Sequence, residues 1–352
     1  MFDSFGFETL TAPEAAIYFG LALGVLFGVL AEITRFCLRR GLVGDASERR
    51  PALGTWLTAL AFAVLATQAA TYAGLISFDD HRFLSPDLPW AAILVGGLLF
   101  GAGIVLTRGC ISRLTVLTGS GNLRAGMVII VFAITAHAAL KGILSPIRTS
   151  LGAITAPIGD FASLTALPGG APLVSAALAT AALAYAARSG AGIKTLTLAA
   201  LIGLLAALGW VGTGFILYDD FDPVALESLS FTSPMSETLF WSVASTSIPA
   251  GFGTGLVGGV LAGALASSLT AGRFQWQSFD SPRQTGRYAL GAVLMGLGGV
   301  LAGGCTLGAG LSGVPTLSTA ALLALIAITL GAKITNRALS QTTQSATLVP
   351  AE

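Results

Sequence analysis

The run GAVLMGLGGVLAGGC (Gly291–Cys305) lies inside the longest uncharged stretch of this chain, Tyr288–Ala332. As a single helix those 45 residues would measure about 67 Å, whereas the apolar core of a bilayer is about 30 Å thick. The stretch must therefore fold back on itself, and the glycines from Gly303 to Gly313 supply the break. Pro315 suits the first turn of a second helix, because proline is tolerated there.

The composition indicates a membrane protein. Hydrophobic residues make up 54% of the chain and charged residues only 10%, whereas about one quarter of an average soluble domain is charged. Mean hydropathy is +0.82 and the net charge is +1. A soluble enzyme, a disordered chain and a nucleic-acid-binding protein, which needs a basic surface, are therefore excluded.

Apolar runs long enough to span a bilayer recur along the whole chain. Because the last run must count as two helices, we predict an all-α polytopic protein with about nine membrane helices plus short broken or re-entrant helices. The runs are Ala15–Ala31, Ala52–Phe78, Leu88–Thr107, Ala125–Leu140, Phe161–Ala187, Thr195–Tyr218, Thr238–Gly272 and Tyr288–Ala332.

The run Gly291–Cys305 is repeated earlier in the chain as GGLLFGAGIVLTRGC (Gly96–Cys110). The two sequences are identical at 8 of 15 positions. Glycine matches could follow from composition, so the shared Gly-Cys end is the more informative part. An odd number of crossings between the copies predicts two inverted repeats, with a functional site where the breaks meet. Two full-length hairpins with their cysteine loops on opposite faces remain the alternative.

The predicted units are repeat 1 (1–160, with Cys37 and Cys110), a connecting helix (161–190), repeat 2 (191–340, with Cys305) and a polar C-terminal tail (341–352).

The charged loops alternate in sign. Five arginines lie in Arg35–Arg50 and three in Arg273–Arg287, whereas Asp79–Asp87 and Asp219–Glu237 are acidic. The positive-inside rule then predicts an external N-terminus and a cytoplasmic C-terminus. Lys141 and Arg148 would lie outside and fit this orientation less well. The acidic start of the chain (Asp3, Glu8 and Glu14) does not resemble a cleaved signal, so the first run is expected to stay as a span.

The three cysteines are the main candidates for a functional site. Their number and spacing predict neither a disulfide framework nor a zinc site. A lone cysteine in an apolar helix is usually a small buried hydrophobic residue. Here, however, Cys110 and Cys305 follow Gly109 and Gly304 at equivalent breaks, and Cys37 ends the first helix. The three thiols, with Ser112 and Thr306 close to them in the chain, are therefore candidates for a substrate path.

Arginines surround the first break. Arg108 and Arg113 either supply the positive charge of a cytoplasmic loop or attract an anion, because guanidinium groups suit oxyanions. The second copy has Gly303 and Gly308 in their places, so a symmetric anion site is not expected.

Ionisable residues at membrane depth are a third group of candidates. Glu32 could form an ordinary ion pair with its neighbour Arg35, and His137 could hydrogen-bond a neighbouring helix. The sequence leaves the roles of Glu32, His137 and Lys141 open.

Three short motifs carry a resemblance to a known family. They are RFC (Arg35–Cys37), RGC (Arg108–Cys110) and GGCTLGAGLSG (Gly303–Gly313). With them the chain resembles the YeeE/YedE (sulfur transport) membrane proteins from about Ala15 to Lys333. The resemblance implies that Cys37, Cys110 and Cys305 line one permeation path, along which thiol hydrogen bonds pass a sulfur-containing anion. It also implies a small cytosolic sulfur-carrier protein as a partner.

The sequence thus predicts a transporter and no enzyme. We expect a bacterial inner-membrane importer of thiosulfate or a similar small sulfur-containing anion, with the lipid bilayer as its environment, no cofactor and no nucleic-acid partner. One alternative is a membrane sulfurtransferase that forms cysteine persulfides. Others are a transporter of a selenium compound and a structural or sensor protein in which the thiols only pack.

Overall fold

The computed structural model describes residues 10–347, and side chains through Gln341. Asp3 and Glu8 of the predicted acidic start, and residues 348–352 of the predicted tail, lie outside this range. Within it the chain is mostly helical, which confirms the predicted fold class, and one short pairing joins Asp87–Leu88 to Ala156–Pro157. The helices of the described chain are α1 (Ala12–Thr34), α2 (Leu38–Val43), α3 (Ala46–Tyr72), α4 (Trp90–Leu106), α5 (Ile111–Gly119), α6 (Leu123–Lys141), α7 (Ser145–Gly152), α8 (Gly170–Ala187), α9 (Ile193–Val211), α10 (Thr232–Val243), α11 (Phe252–Thr270), α12 (Pro282–Leu301) and α13 (Thr319–Thr347).

Nine helical segments between residues 10 and 347 are long and apolar enough to cross a membrane, as the sequence predicted. Large apolar side chains such as Tyr18, Leu26 and Ile130 remain exposed on their outer faces, which suits contact with lipid. Three of the nine are interrupted, because α1 continues into α2, α4 into α5, and α12 into a wide helical turn, Thr306–Gly313.

Helices α1 and α11 pack backbone to backbone through glycines. A Cβ atom built on Gly24 would lie 2.3 Å from the carbonyl oxygen of Leu256, and one on Gly259 would lie 2.2 Å from that of Leu21. Close approach of this kind is how membrane helices gain packing energy without a hydrophobic driving force. The register shows that the two helices run in the same direction, because residues further along α1 meet residues further along α11. The glycines of this seam are Gly20, Gly24 and Gly28 of α1 and Gly255, Gly259 and Gly263 of α11.

The two glycine-rich helices of the sequence repeat, α4 and α12, pack against each other. A Cβ on Gly96 would lie 2.4 Å from the amide nitrogen of Ala302, and one on Gly103 would lie 2.6 Å from the carbonyl oxygen of Gly291. The start of α4 therefore meets the end of α12, and the helices run in opposite directions. This packing agrees with inverted repeats, although the symmetry of the whole units stays a prediction.

The bundle has two chemically different ends. At the basic end, which comprises residues 35–50 and 271–287 together with the start of α6, Arg273 forms an ion pair with Glu32, Asn122 bonds Gln277, and Arg124 contacts Asp280. The loops 73–89 and 217–231 meet at the opposite end, which we call the acidic end.

The fold-back of the last apolar run differs in detail from the expectation. Pro315 lies in a single tight turn, Val314–Thr316, and not in the first turn of α13. Leu317 follows with a left-handed backbone (φ 59°), so α13 begins only at Thr319. The carbonyl oxygen of Pro315 accepts a hydrogen bond of 2.7 Å from Nε2 of Gln68. The break is thereby fastened to α3.

Candidate functional site

Each of the three cysteines follows the same kind of helix ending. A residue with a left-handed backbone stops the helix, and the cysteine comes two positions later. Left-handed residues commonly end helices, and glycine adopts this conformation most easily. The three pairs are Arg35 (φ 50°) with Cys37, Arg108 (φ 60°) with Cys110, and Gly303 (φ 74°) with Cys305.

Each cysteine also has an extended backbone and immediately precedes a new helical segment. Cys37 precedes α2, Cys110 precedes α5, and Cys305 precedes the wide turn Thr306–Gly313. The Sγ atom of Cys305 accepts a hydrogen bond of 3.4 Å from the amide of Gly308, which lies in that turn. All three thiols are buried and free.

The fold brings two of the thiols together. The side chains of Cys37 and Cys110 interact with each other, and Sγ of Cys110 lies 3.1 Å from Oγ of Ser112. The guanidinium of Arg113 is close enough to act electrostatically on both thiols and donates a 3.2 Å hydrogen bond to the carbonyl oxygen of Ala31. A cation therefore stands beside the paired thiols.

Thr306 connects the third cysteine to this pair. It follows Cys305 in the chain, and its side chain lies beside the thiol of Cys110. The hydroxyl of Thr232, at the start of α10, lies beside the thiol of Cys305. Both hydroxyls are buried and, among the described residues, make no hydrogen bond of normal geometry. Two unused hydrogen-bond donors therefore flank the thiols, and such groups call for an explanation.

A polar cavity opens at the acidic end and reaches the wide turn that follows Cys305. Its volume is 660 Å³, and Gly308, Ser312 and Ser228 lie on the side nearest that turn. Ser312 Oγ donates a 2.8 Å hydrogen bond to the carbonyl oxygen of Leu229 and lies 3.3 Å from Ser228 Oγ. The cavity and the cysteine turn thus share a wall. Its charged or titratable lining residues are Asp80, His81, Arg82, Glu227 and Glu237.

The ionisation of this lining is strongly affected by burial. Burial, and to a lesser degree the charge of Arg82, lowers the pKa of His81 to about 4. Burial, with the nearby carboxylate of Glu237, raises the pKa of Glu227 to about 7, against the opposing effect of Arg82. Burial also raises the pKa of Glu237, and Lys141 opposes that shift.

The predicted site residues do not all meet. Cys37, Cys110, Ser112 and Arg113 are close neighbours, and Thr306 joins them to Cys305. Arg108 is different, because its side chain is exposed and lies near another cation, Arg287. This position fits the loop-charge interpretation of Arg108 better than a place on the path.

The two glycines before the cysteines keep their turns tight. A Cβ atom on Gly304 would lie 2.9 Å from the amide nitrogen of Ala309, and one on Gly109 would lie 3.3 Å from the side chain of Leu114. A side chain at either position would press against the segment that follows the cysteine. Gly304 leaves less room, because the atom it faces belongs to the backbone.

Two of the ionisable residues at depth, Glu32 and His137, have ordinary structural partners. Glu32 is paired with Arg273 of the loop before α12, and not with Arg35 as its position suggested; Ser267 donates a second hydrogen bond of 2.9 Å to it. His137 hydrogen-bonds Ser236 of α10 at 3.1 Å, which confirms the expected contact with a neighbouring helix.

Sequence reasoning missed the contribution of the acidic end. Arg82 and Glu227 lie in connecting segments, and Thr232 is the first residue of α10; in the sequence these acidic stretches served only as markers of orientation. The run Glu227-Ser-Leu-Ser-Phe-Thr232 alternates polar and apolar residues just before α10, and that pattern could have indicated a buried polar lining. No group of three or more His, Cys, Asp or Glu side chains in the described chain is placed to hold a metal ion.

Comparisons with known proteins show what this sequence is similar to. The sequence matches the sulphur transport family over residues 33–334. It is 27% identical to the thiosulfate transporter TsuA of Spirochaeta thermophila over 347 residues, covering 90% of this chain and 96% of that protein. The thiosulfate transporter TsuA of Escherichia coli is 26% identical over 318 residues, covering 83% and 86%. A shorter match, 32% over 112 residues, covers 31% of this chain and 26% of the probable transporter YedE of Escherichia coli.

Proposed function

Since this chain belongs to the sulphur transport family, we propose that it imports thiosulfate, or a similar small sulfur-containing anion, through a bacterial inner membrane. The anion passes from the polar cavity to Cys305 and then to Cys110 and Cys37. One observation carries the proposal: the same helix break recurs at all three cysteines, and each break delivers a buried, free thiol to the interior of the bundle.

The chemistry of the path suits such an anion. Thiosulfate has oxygen atoms at one end and a soft, polarizable sulfur atom at the other. Thiols are weak hydrogen-bond donors with polarizable sulfur, whereas hydroxyls bond oxygen well. The unused hydroxyls of Thr232 and Thr306 can therefore take the oxygens while the thiols face the sulfur end. Weak donors also release their ligand, as conduction requires.

Arg113 supplies the positive charge of the path. It lies within electrostatic range of the thiols of Cys37 and Cys110, so a dianion at these thiols would have a countercharge beside it. An anion in a partly buried site is strongly stabilised by a fixed cation, because the surrounding dielectric screens poorly. Arg113 thus offsets the cost of removing the anion from water near the basic end.

The charge of the two ends supports the proposed orientation, and with it import as the direction of transport. The basic end carries the arginine-rich loops and is proposed to face the cytoplasm, because positive loops are retained on that side. The acidic end, with its cavity, then faces outward and receives the anion. A small cytosolic sulfur-carrier protein would accept the imported anion at the basic end. Binding of this carrier to membranes that expose only the acidic end would contradict this arrangement.

The test is uptake of thiosulfate labelled on its outer sulfur, in cells that lack their own uptake routes. Wild type should accumulate the label. Cys110→Ala and Cys305→Ala should each lower the uptake rate by at least about tenfold, which corresponds to a loss of about 1.4 kcal/mol. Intact mass after exposure to thiosulfate shows whether a persulfide forms, as the sulfurtransferase alternative requires.

The matched control is Thr115→Ala. Thr115 is fully buried on α5, the helix that Cys110 precedes, but its hydroxyl bonds only the carbonyl oxygen of Ile111. This variant should transport normally. Normal uptake by both cysteine variants, with all proteins present in the membrane at equal amounts, would end the proposal of a thiol-lined path.

A further inference from the structure

The polar cavity places one guanidinium among several carboxyl groups. Among the described residues that line the cavity, Arg82 is the only arginine. It shares the cavity with Asp80, Glu227 and Glu237. Arg82 and Glu227 are close enough to influence each other electrostatically. A doubly charged anion that entered this cavity would be attracted by Arg82 and repelled by the carboxylates beside it. Such an arrangement is unfavourable for anion binding unless a carboxylate is neutralised.

Glu227 is held in a fixed position in this cavity. Its backbone amide donates a 3.0 Å hydrogen bond to Oγ1 of Thr213, and the same hydroxyl donates one of 2.7 Å to the carbonyl oxygen of Glu227. The next residue, Ser228, donates a 2.6 Å hydrogen bond to Ala206 and lies within 3.3 Å of Ser312, in the turn that follows Cys305. The backbone that carries this carboxyl group is therefore connected to the cysteine turn, and the side chain of Glu227 lines the cavity.

We propose that this cavity binds the incoming anion together with one proton, with Arg82 holding the anion and the carboxylate of Glu227 accepting the proton. The proton comes from the external solution and forms the O–H bond of a neutral carboxylic acid, which leaves Arg82 free to pair with the anion. The proposal deepens the proposed function, on which it rests, because it assigns proton-coupled capture to the outer side of the same path.

The ionisation of the neighbouring groups supports the choice of Glu227. The pKa of Glu227, raised mainly by burial and also by Glu237, is about 7, so its charge changes near neutral pH. The pKa of His81, lowered by burial and by Arg82, is about 4, so this imidazole is neutral from pH 6 to pH 8. Anion binding would neutralise the effect of Arg82 and would raise the pKa of Glu227 further, because opposite charge favours and like charge disfavours the ionised carboxyl. The charge of Lys141 opposes the rise in the pKa of the neighbouring Glu237.

Calorimetry on the purified protein measures the proton directly. Thiosulfate is titrated at about pH 7 in two buffers that differ in ionisation enthalpy, and the difference in heat gives the protons taken up per anion. Because about half of Glu227 is ionised at its pKa of about 7, wild type should take up about half a proton per anion. Glu227→Gln, which imitates the protonated acid, should take up none and should still bind the anion.

Transport into vesicles gives the second readout. If the neutral form of Glu227 binds the anion, KM for thiosulfate should be about tenfold higher at about pH 8 than at about pH 6, because the competent fraction falls by that factor. Glu227→Gln should show the same low KM at both pH values, and Arg82→Gln a high KM at both. The matched control is Asp80→Asn, which removes a carboxylate from the same cavity and should keep the pH dependence.

The outcomes separate this proposal from the proposed function. If anion binding takes up protons but no thiosulfate is transported, the proposed transport function is contradicted and the proton-coupled anion site in the cavity is supported. Transport with no proton uptake and one KM at both pH values would overturn the cavity site and leave transport intact. Loss of the pH dependence in Asp80→Asn to the same extent as in Glu227→Gln would overturn the assignment to Glu227. The wild-type measurements need no variant, so poor folding of Glu227→Gln would not prevent a decision.

Discussion

Two arginines end helices in a conformation that suits glycine. Arg35 and Arg108 have φ angles of 50° and 60°, whereas Gly303 takes the equivalent place before Cys305. A side chain with a Cβ atom pays about 1–2 kcal/mol for a left-handed backbone. Arg35 recovers part of this, because its carbonyl oxygen accepts a 2.9 Å hydrogen bond from Arg40. Strain of this kind is typical of functional sites, and here it positions the backbone two residues before a thiol.

Two substitutions of Arg108 should separate the effect of its left-handed backbone conformation from the effect of its positive charge. We expect Arg108→Gly to be more stable than Arg108→Ala by about 1 kcal/mol, because only glycine relieves the left-handed strain. Both variants lose the same positive charge, so they should transport at equal rates. Thermal unfolding of the purified variants in detergent measures the first difference and labelled uptake the second. Equal unfolding temperatures would show that the turn at Arg108 is not strained.

At the scale of the elements, glycine determines how closely helices approach. The seam between α1 and α11 brings backbone against backbone, and a methyl group there would meet carbonyl oxygens that cannot move without separating the helices. The same close approach joins α4 to α12. Because lipid is as apolar as leucine, this contact and not hydrophobic burial holds the helices together. The high glycine content of the chain, 45 residues, therefore has a direct packing role.

Two adjacent glycines of α11 allow a sharp test of this seam. Gly259→Ala should lower stability by about 1–3 kcal/mol, the usual effect of overpacking, because its Cβ would lie 2.2 Å from the carbonyl oxygen of Leu21. Gly258→Ala is the matched control, since its Cβ would meet only a side-chain methyl at 3.9 Å. It should be neutral or stabilising by up to about 1 kcal/mol. Equal thermal unfolding temperatures for the two variants would contradict the packing argument.

At the scale of the whole molecule, the two ends of the bundle differ in charge and in chemistry. The basic end is joined by polar contacts between distant loops, such as Asn122 with Gln277 at 2.7 Å. The acidic end holds the cavity. The thiols lie between the ends, with Cys305 next to the cavity wall and Cys37 at the start of the basic end. The charged and polar groups of the molecule are thus distributed unequally between its two ends.

The orientation of the bundle can be measured with single cysteines. Phe221 at the acidic end is 92% exposed, and Arg283 at the basic end is also exposed. A membrane-impermeant maleimide added to intact cells should label Phe221→Cys, and should label Arg283→Cys only after the cells are permeabilised. Wild type is the control, because its own three thiols are buried. The reverse pattern of labelling would place the N-terminus inside.

The amino-acid sequence by itself determined the class of the protein, its nine spans and the positions of its breaks. These properties depend on the hydropathy and length of continuous segments, which are local quantities. The sequence also identified Cys110 and Cys305 as equivalent, because a repeat can be aligned. It located Cys37 at a helix end, and the family resemblance implied that all three thiols line one path, but it did not say which two thiols would lie closest together.

Only the tertiary structure decided which distant residues meet. An ion pair of Glu32 with its neighbour Arg35 was one possibility, yet its partner is Arg273, 241 positions away, because α1 and α11 end side by side at the basic end. The polar cavity combines loops that follow α3 and α9, and Thr232 reaches Cys305 from the start of α10. Such contacts depend on how helices pack in three dimensions, and packing through glycine leaves no residue pattern in one helix that names its partner.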